Sequence, residues 1–132
     1  MFGAVIVEPV SDSADMGVIF MDSRGYLDMC IHGSIGVVTV LVETGIVKCG
    51  SRSEKQEKEI ILDTPAGEVY AKPKVDNGKV RAMTTRNVPF FLYSSASIRV
   101  KFIENIPVDI AYGGNFIALV KATSLGVKVE PV

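Results

Sequence analysis

The fold is decided by residues 31–47, which read IHGSIGVVTVLVETGIV. This run is too long for an ordinary strand, so its length predicts one helix, although its valines weakly favour a strand. Gly45, near the end of the run, is typical of a helix C-terminus. Apolar residues fall on every side of this helix, which is typical of a buried helix. We therefore expect a helix enclosed by strands rather than one that lies on a surface.

Short runs rich in β-branched residues predict strands on both sides of this helix. Two precede it, at Gly3–Val7 and Gly17–Met21, and because both are almost entirely apolar we expect both of their faces to be covered. The strands predicted after it are Glu59–Asp63, Glu68–Val75, Lys79–Val88, Ser97–Ile103 and Val108–Ala111. Asn77-Gly78 predicts a tight hairpin turn, whereas residues 115–122 are compatible with either a strand or a helix. The sum is a mixed α/β (α+β) fold with mostly antiparallel strands around one buried helix.

The composition fits a single globular domain over residues 1–132, with residues 48–59 as a polar loop inside it. The 14 basic and 15 acidic residues give a net charge of −1, which argues against nucleic acid as the main partner. The longest apolar stretch, residues 35–42, is far shorter than the ~20 residues that span a membrane. Two cysteines are too few for a secreted disulfide framework, and the N-terminus lacks the basic segment of a signal peptide. We therefore expect no nucleic-acid or membrane partner and a reducing, cytoplasmic setting.

The residues best suited to bind a ligand or take part in a reaction lie at the start of the predicted helix. A helix N-terminus carries free backbone N–H groups, which favour an anion such as a Cys30 thiolate or a substrate carboxylate. Gly33 allows a small ligand to approach the backbone, and His32 is able to bind a ligand or carry a proton near neutral pH. The alternatives are structural, because an isolated cysteine is usually inert packing and an isolated histidine usually a hydrogen-bonded structural residue. Position alone leaves both open, and Cys49 in the polar loop is interpreted as incidental.

Residues 29–36, MCIHGSIG, followed by VETG at 42–45, closely resemble the first catalytic motif of the proline racemase family. That family includes 4-hydroxyproline epimerases and trans-3-hydroxyproline dehydratases. Further stretches agree in the same order, namely GAV at 3–5, EP at 8–9, DTPAG at 63–67, NVP at 87–89 and DIAYGGNF at 109–116. The resemblance therefore covers essentially the whole chain.

This resemblance implies the diaminopimelate-epimerase-like fold, in which each of two α/β domains has a sheet curled round a central helix. It also implies inversion at the α-carbon of proline or hydroxyproline by two cysteines, with no pyridoxal phosphate, metal or other cofactor. Cys30 matches the first catalytic cysteine. Ile31, His32 and Gly33 match positions that hold the substrate, through backbone amides and the imidazole. We thus expect a small amino acid as the ligand.

The chain departs from the family pattern in several places, and these departures change the function that we expect of it. The second catalytic cysteine of the family lies in a further domain, within a Cys-Gly-Thr-Gly-Thr motif that is absent here. Cys49 cannot replace it, because a helix between the two cysteines would separate them by roughly 25 Å. Ile31 stands where the family usually has glycine. The chain therefore resembles an incomplete N-terminal domain of a racemase and is expected to be inactive alone.

Two alternatives remain at this point. A homo-oligomer would place two Cys30 thiols face to face across a two-fold axis, or a complementing second domain would supply the missing half of the site. The other alternative is a non-catalytic module that binds a small molecule, or another protein, and retains only the anion pocket at the helix start.

Overall fold

The computed structural model describes residues 2–49 and 58–130, which fall into two compact units, Met1–Val88 and Pro89–Val132. The elements of the first unit are β1 (Phe2–Val7), β2 (Met16–Asp22), β3 (Gly25–Leu27), α1 (Ile31–Glu43), β4 (Ile60–Thr64), β5 (Gly67–Asp76) and β6 (Lys79–Arg86). Those of the second unit are β7 (Phe91–Val100), β8 (Ile103–Tyr112), β9 (Phe116–Leu119) and a short 3₁₀ helix at Ala122–Leu125. The single-domain interpretation of 1–132 stays a prediction.

The first unit is built on a six-stranded sheet in the order β1-β2-β4-β5-β6, with β3 also paired to β2. Every pairing is antiparallel except that of β2 with β4, which is parallel and joins Met16 to Leu62 and Gly17 to Asp63. Asp15 extends this short parallel contact. Its N–H donates to the carbonyl of Ile61 at 2.8 Å, and its carboxylate accepts from the N–H of Ile61 at 2.9 Å.

The core of the first unit lies between this sheet and α1. Alternate residues of the central strands are buried, as the side-chain period of two requires: Val18, Phe20, Ile60, Leu62, Val69 and Ala71. Val37, Val38 and Leu41 of α1 are buried in the same cluster. The far end of the helix is fastened by Glu43, whose carboxylate accepts from the N–H of Val80 at 3.0 Å and from Lys79 Nζ at 2.6 Å.

The helix begins at Ile31 as predicted but ends at Glu43, earlier than Val47. Thr44 is the C-cap, and Gly45 has a φ of +76°, a left-handed conformation that stops the helix. The prediction of a helix buried on all sides is wrong, because Ile35 is 37% exposed and Val40 57% exposed. The sheet thus covers one face of α1 and leaves an apolar outer face.

The expected covering of both faces of the first two strands is likewise wrong for β1. In β1 the side chains of Phe2, Val5 and Ile6 are all more than 40% exposed, because β1 is an edge strand of the sheet. By contrast, Val18 and Phe20 of β2 are buried.

The strands β4, β5 and β6 agree with the prediction to within two residues at each end. The predicted hairpin turn is present, with Asn77 at a φ of 50° and Gly78 at 75°. β3 was not predicted. Of the predicted polar loop 48–59, residues 50–57 lie outside the described residues.

The second unit is a three-stranded antiparallel sheet in the order β7-β8-β9. The predicted strand at Ser97–Ile103 is displaced, because β7 begins at Phe91 and the chain turns at Lys101-Phe102 before β8. β8 is also longer than the predicted Val108–Ala111. The ambiguous stretch 115–122 contains the strand β9, reached through a turn with Gly114 at a φ of 96°.

The described residues thus form a mixed α/β fold, as predicted, with one α-helix and two mostly antiparallel sheets, one in each unit. None of the helices in the described part of the chain has the length and apolar character needed to cross a bilayer.

Candidate active site

Cys30 is the N-cap residue of α1. Its backbone is extended, with φ −147° and ψ 115°, and its sulfur accepts a hydrogen bond from the N–H of Gly33 at 3.4 Å. The thiol is free and half-buried. An N-cap acceptor satisfies one of the unpaired N–H groups of the first helical turn, and an anionic acceptor does so more strongly. The fold therefore places the Cys30 sulfur at the end of the helix that favours negative charge.

Ser34 anchors the backbone of Cys30 in the first turn of α1. Its N–H and its hydroxyl both donate to the carbonyl oxygen of Cys30, at 2.8 and 2.9 Å, and its side chain is fully buried. These two bonds hold the Cys30 backbone in place while its sulfur points back towards Gly33. The buried serine of the motif is therefore a structural residue.

The neighbours of Cys30 differ in their exposure. His32 is exposed on the first turn of α1, whereas Ile31 is half-buried and packs against the core cluster. The branched side chain of Ile31, which stands where the resembling family usually has glycine, is thus in contact with the core. Gly36, one turn further on, borders open space.

The segment that leads into Cys30 is held by the turn between β4 and β5. The N–H of Ala66 donates to the carbonyl of Asp28 at 3.2 Å, and the Thr64 hydroxyl donates to the carbonyl of Gly67 at 2.6 Å. Met29, directly before Cys30, is only 4% exposed. The DTPAG motif at 63–67 therefore supports the segment that leads into Cys30.

Three aspartates, at positions 15, 63 and 109, are engaged in structural bonds. The Asp63 carboxylate accepts from the N–H groups of Val10 and Ser11, at 2.7 and 3.0 Å. The Asp15 carboxylate, besides its bond to Ile61, forms an ion pair with Lys58 at 2.6 Å. In the second unit, Asp109 accepts from the Ser95 hydroxyl at 2.6 Å within the sheet.

Glu68 on β5 is surrounded by hydroxyl groups. It accepts hydrogen bonds from Ser11, Ser13 and Tyr70, and these bonds lower its pKa from 4.5 to about 2. The same contact with Glu68 raises the pKa of Tyr70. Glu68 is therefore ionised throughout the neutral range, where it fastens the loop after β1 to the sheet and is a poor proton carrier.

Cys49 has a different environment from Cys30. It is a free, half-buried thiol that packs against the core, and burial raises its pKa. Among residues 2–49 and 58–130, no group of three or more histidine, cysteine or acidic side chains is arranged to hold a metal ion.

Phe20 is the residue of this region that sequence reasoning missed. Its ring lies directly beneath Gly33, at the start of the helix. The only signal in the sequence is a large aromatic residue within an apolar strand, which is typical of any core position.

Comparison with known proteins gives a consistent result. The family model described as proline racemase matches residues 1–132. The proline racemase of Acetoanaerobium sticklandii is 46% identical over 132 residues, covering 98% of this chain and 38% of that protein. The trans-3-hydroxy-L-proline dehydratase of Bacillus thuringiensis subsp. konkukian is 41% identical over 130 residues, covering 98% of this chain and 38% of that protein. The chain therefore spans about 38% of the length of these curated relatives.

The fold is also shared with a solved structure. A hydroxyproline epimerase from Agrobacterium vitis, crystallised with trans-4-hydroxy-L-proline, matches with a TM-score of 0.86 and 29% identity. The match covers 97% of this chain and 36% of the epimerase. It confirms the predicted fold, and the family model matches over the entire chain. The chain belongs to the proline racemase family.

Proposed function

We propose that this chain carries one half of an active site for cofactor-independent inversion at the α-carbon of proline or hydroxyproline, with Cys30 as the acid/base. The observation that carries the proposal is the Cys30 sulfur, 3.4 Å from the Gly33 amide nitrogen at the N-terminal end of α1. An N–H donor beside the sulfur stabilises a thiolate, which is the form that removes a proton from carbon. Relatives named for proline or hydroxyproline support the substrate class.

In this proposal Ile31, His32 and Gly33 hold the substrate. The backbone amides of the first helical turn and the helix dipole favour a carboxylate, which every amino acid carries. The exposed His32 imidazole is a second contact from the same turn. The proposed chemistry uses no pyridoxal phosphate and no metal.

Inversion needs a second proton donor on the opposite face of the α-carbon. Cys49 is poorly suited to this role, because its thiol packs against the core and burial raises its pKa. We therefore expect the chain alone to bind the amino acid without racemising it. The setting we propose is reducing and cytoplasmic, in agreement with two free thiols.

Protection of Cys30 from alkylation tests the half-site. The rate of Cys30 alkylation by iodoacetamide is measured with and without L-proline or trans-4-hydroxy-L-proline, in a Cys49→Ser variant so that a single thiol reacts. We expect either amino acid to slow the reaction and L-prolinamide, which lacks the carboxylate, to leave it unchanged. Equal rates under all conditions at saturating amino acid would contradict the proposal.

A second candidate is a site completed by a second copy of the chain or by a second domain. The exposed apolar face of α1, with Ile35 and Val40, favours a covering partner. Proton NMR in D₂O, combined with sedimentation, tests this candidate. Loss of the α-proton signal by an associated form, abolished in Cys30→Ser and retained in Cys49→Ser, would support it. A monomer that binds proline equally well with and without Cys30→Ser would instead indicate a non-catalytic binding module.

A further inference from the structure

We propose that Phe20 of β2 is a positioning residue for the Cys30 thiol. Its ring supports the first turn of α1 at Gly33 and so sets the distance between the Gly33 N–H and the sulfur. The functional meaning of this contact rests on the role proposed above for Cys30. The contact between Phe20 and Gly33 is observed in the structure and does not depend on that role.

The closeness of the ring to the helix is the first observation. A Cβ atom added at Gly33 would lie 2.6 Å from Cε1 and 2.8 Å from Cδ1 of Phe20, below the 3.0 Å that such atoms reach. It would also lie 3.2 Å from the ring of Phe2. Glycine at position 33 therefore allows the helix to rest directly on the aromatic ring, at a distance that any other residue would increase.

The second observation is that the ring has little freedom to retreat. Phe20 is fully buried, and its strand is paired on both sides, with Ala4 of β1 and Leu27 of β3 as its partners. The ring of Phe2 stacks beside it with centroids 6.2 Å apart. Because buried side chains are packed at crystal-like density, a new atom at Gly33 is expected to move the helix end rather than the ring.

The third observation connects this contact to the sulfur. Gly33 is the residue whose N–H donates to Cys30 Sγ, at 3.4 Å. The Cys30 carbonyl is held independently by the N–H and hydroxyl of Ser34. A displacement of Gly33 away from Phe20 therefore changes the geometry of the N–H donor to the Cys30 sulfur, while the backbone at Cys30 stays anchored.

The test compares the pH dependence of Cys30 alkylation in four variants, all in a Cys49→Ser background: Gly33→Ala, Phe20→Leu, the double variant and Gly36→Ala. We expect Gly33→Ala to slow alkylation at pH 7 by about two- to fivefold, the size of the effect of a helix N-terminus on an anion, and to move the profile to higher pH. Adding Phe20→Leu, which shortens the side chain under Gly33, should restore most of the rate.

Gly36→Ala is the matched control. It introduces the same methyl group one turn along the helix, where a Cβ atom has no neighbour within 4 Å. Its alkylation profile should match that of the parent. Circular dichroism and thermal melting establish that each variant is folded, and a loss of stability alone would not shift the pH profile of a folded sample.

Two results would overturn the inference. One is an unchanged profile in folded Gly33→Ala, and the other is a double variant that is folded but no faster than Gly33→Ala. The readout needs no amino acid, so it is separate from the proposed function. Failure of proline to protect Cys30, together with rescue by Phe20→Leu, would reject the racemase half-site and keep the positioning role.

Discussion

The two cysteines of the chain provide an internal comparison of thiol reactivity. Cys30 receives a hydrogen bond from the Gly33 amide, whereas burial raises the pKa of Cys49. We expect iodoacetamide at pH 7.5 to modify Cys30 several-fold faster than Cys49, since the thiolate is the reactive form. Peptide mass spectrometry over a time course measures both rates, with Cys30→Ser and Cys49→Ser as controls. Faster modification of Cys49 would show that the N-cap position does not activate Cys30.

The carboxylate of Glu68 should make the stability of the first unit depend on pH in the acid range. Hydrogen bonds from Ser11, Ser13 and Tyr70 hold the pKa of Glu68 at about 2, below its ordinary 4.5. The folded state therefore gains stability from ionised Glu68 above pH ~4.5, and loses it as the pH falls towards 2. Glu68→Gln should destabilise the protein at pH 7 and have a progressively smaller effect between pH 5 and 3.

Urea unfolding at pH 7, 5 and 3 measures this difference. Glu8→Gln, which alters an exposed glutamate before the same loop, is the control and should have only a small effect on the free energy of unfolding at pH 7. A Glu68→Gln effect that stays constant down to pH 3 would contradict the assigned role.

At the scale of an element, the two faces of α1 should respond differently to truncation. Leu41 is 1% exposed, while its neighbour Val40 is 57% exposed. Leu41→Ala should lower the free energy of unfolding by about 2–5 kcal/mol, as expected for a buried leucine. Val40→Ala should change it by less than about 0.5 kcal/mol, as expected for a surface position. Chemical denaturation of both variants measures the contrast, and similar losses would mean that the outer face is also covered in solution.

The sequence predicted correctly those elements whose local sequence signals agree with their tertiary surroundings. The start of α1 and the Asn77-Gly78 turn were both predicted, because a helix cap and a left-handed turn are local features. The end of α1 was missed because Ile46 and Val47 continue the apolar pattern after Gly45 has already reversed the backbone. Cys30 and His32 were singled out by their place at the start of the predicted helix and by the family motif, and their roles stay a prediction. Phe20 became visible only when the structure placed it under Gly33.

The strands of the second unit were harder to predict for a physical reason. β7 contains the serine-rich residues 94–97, which have low strand propensity, and its start was therefore missed. β8 contains Pro107 opposite Ser97, in the middle strand of its sheet. Proline is normally confined to edge strands, so the sequence predicted a break where the strand continues.

At the scale of the whole molecule, the two units should differ in their local stability. The first unit has a core with fully buried residues on β2, β4 and β5, whereas every described side chain of β7 is exposed. We expect the amide hydrogens of β7 to exchange at least about tenfold faster than those of β4, because local opening there disrupts little buried surface. Hydrogen exchange with mass spectrometry at low protein concentration measures both, and equal protection would contradict this prediction.

The parallel contact of β2 with β4 has a consequence for the order in which the molecule folds. β1–β2–β3 and β4–β5–β6 are each antiparallel meanders made of neighbours in sequence, so each is able to form early. Joining them closes a long loop. Two residue pairs and the bonds of Asp15 hold β2 to β4, and the carboxylates of Asp63 and Glu68 add hydrogen bonds to the loop after β1. α1 packs against β1 on one side and β5 and β6 on the other, so it bridges the two meanders. We therefore expect the Cys30 thiol to acquire its final surroundings late in folding, when the helix packs across both meanders.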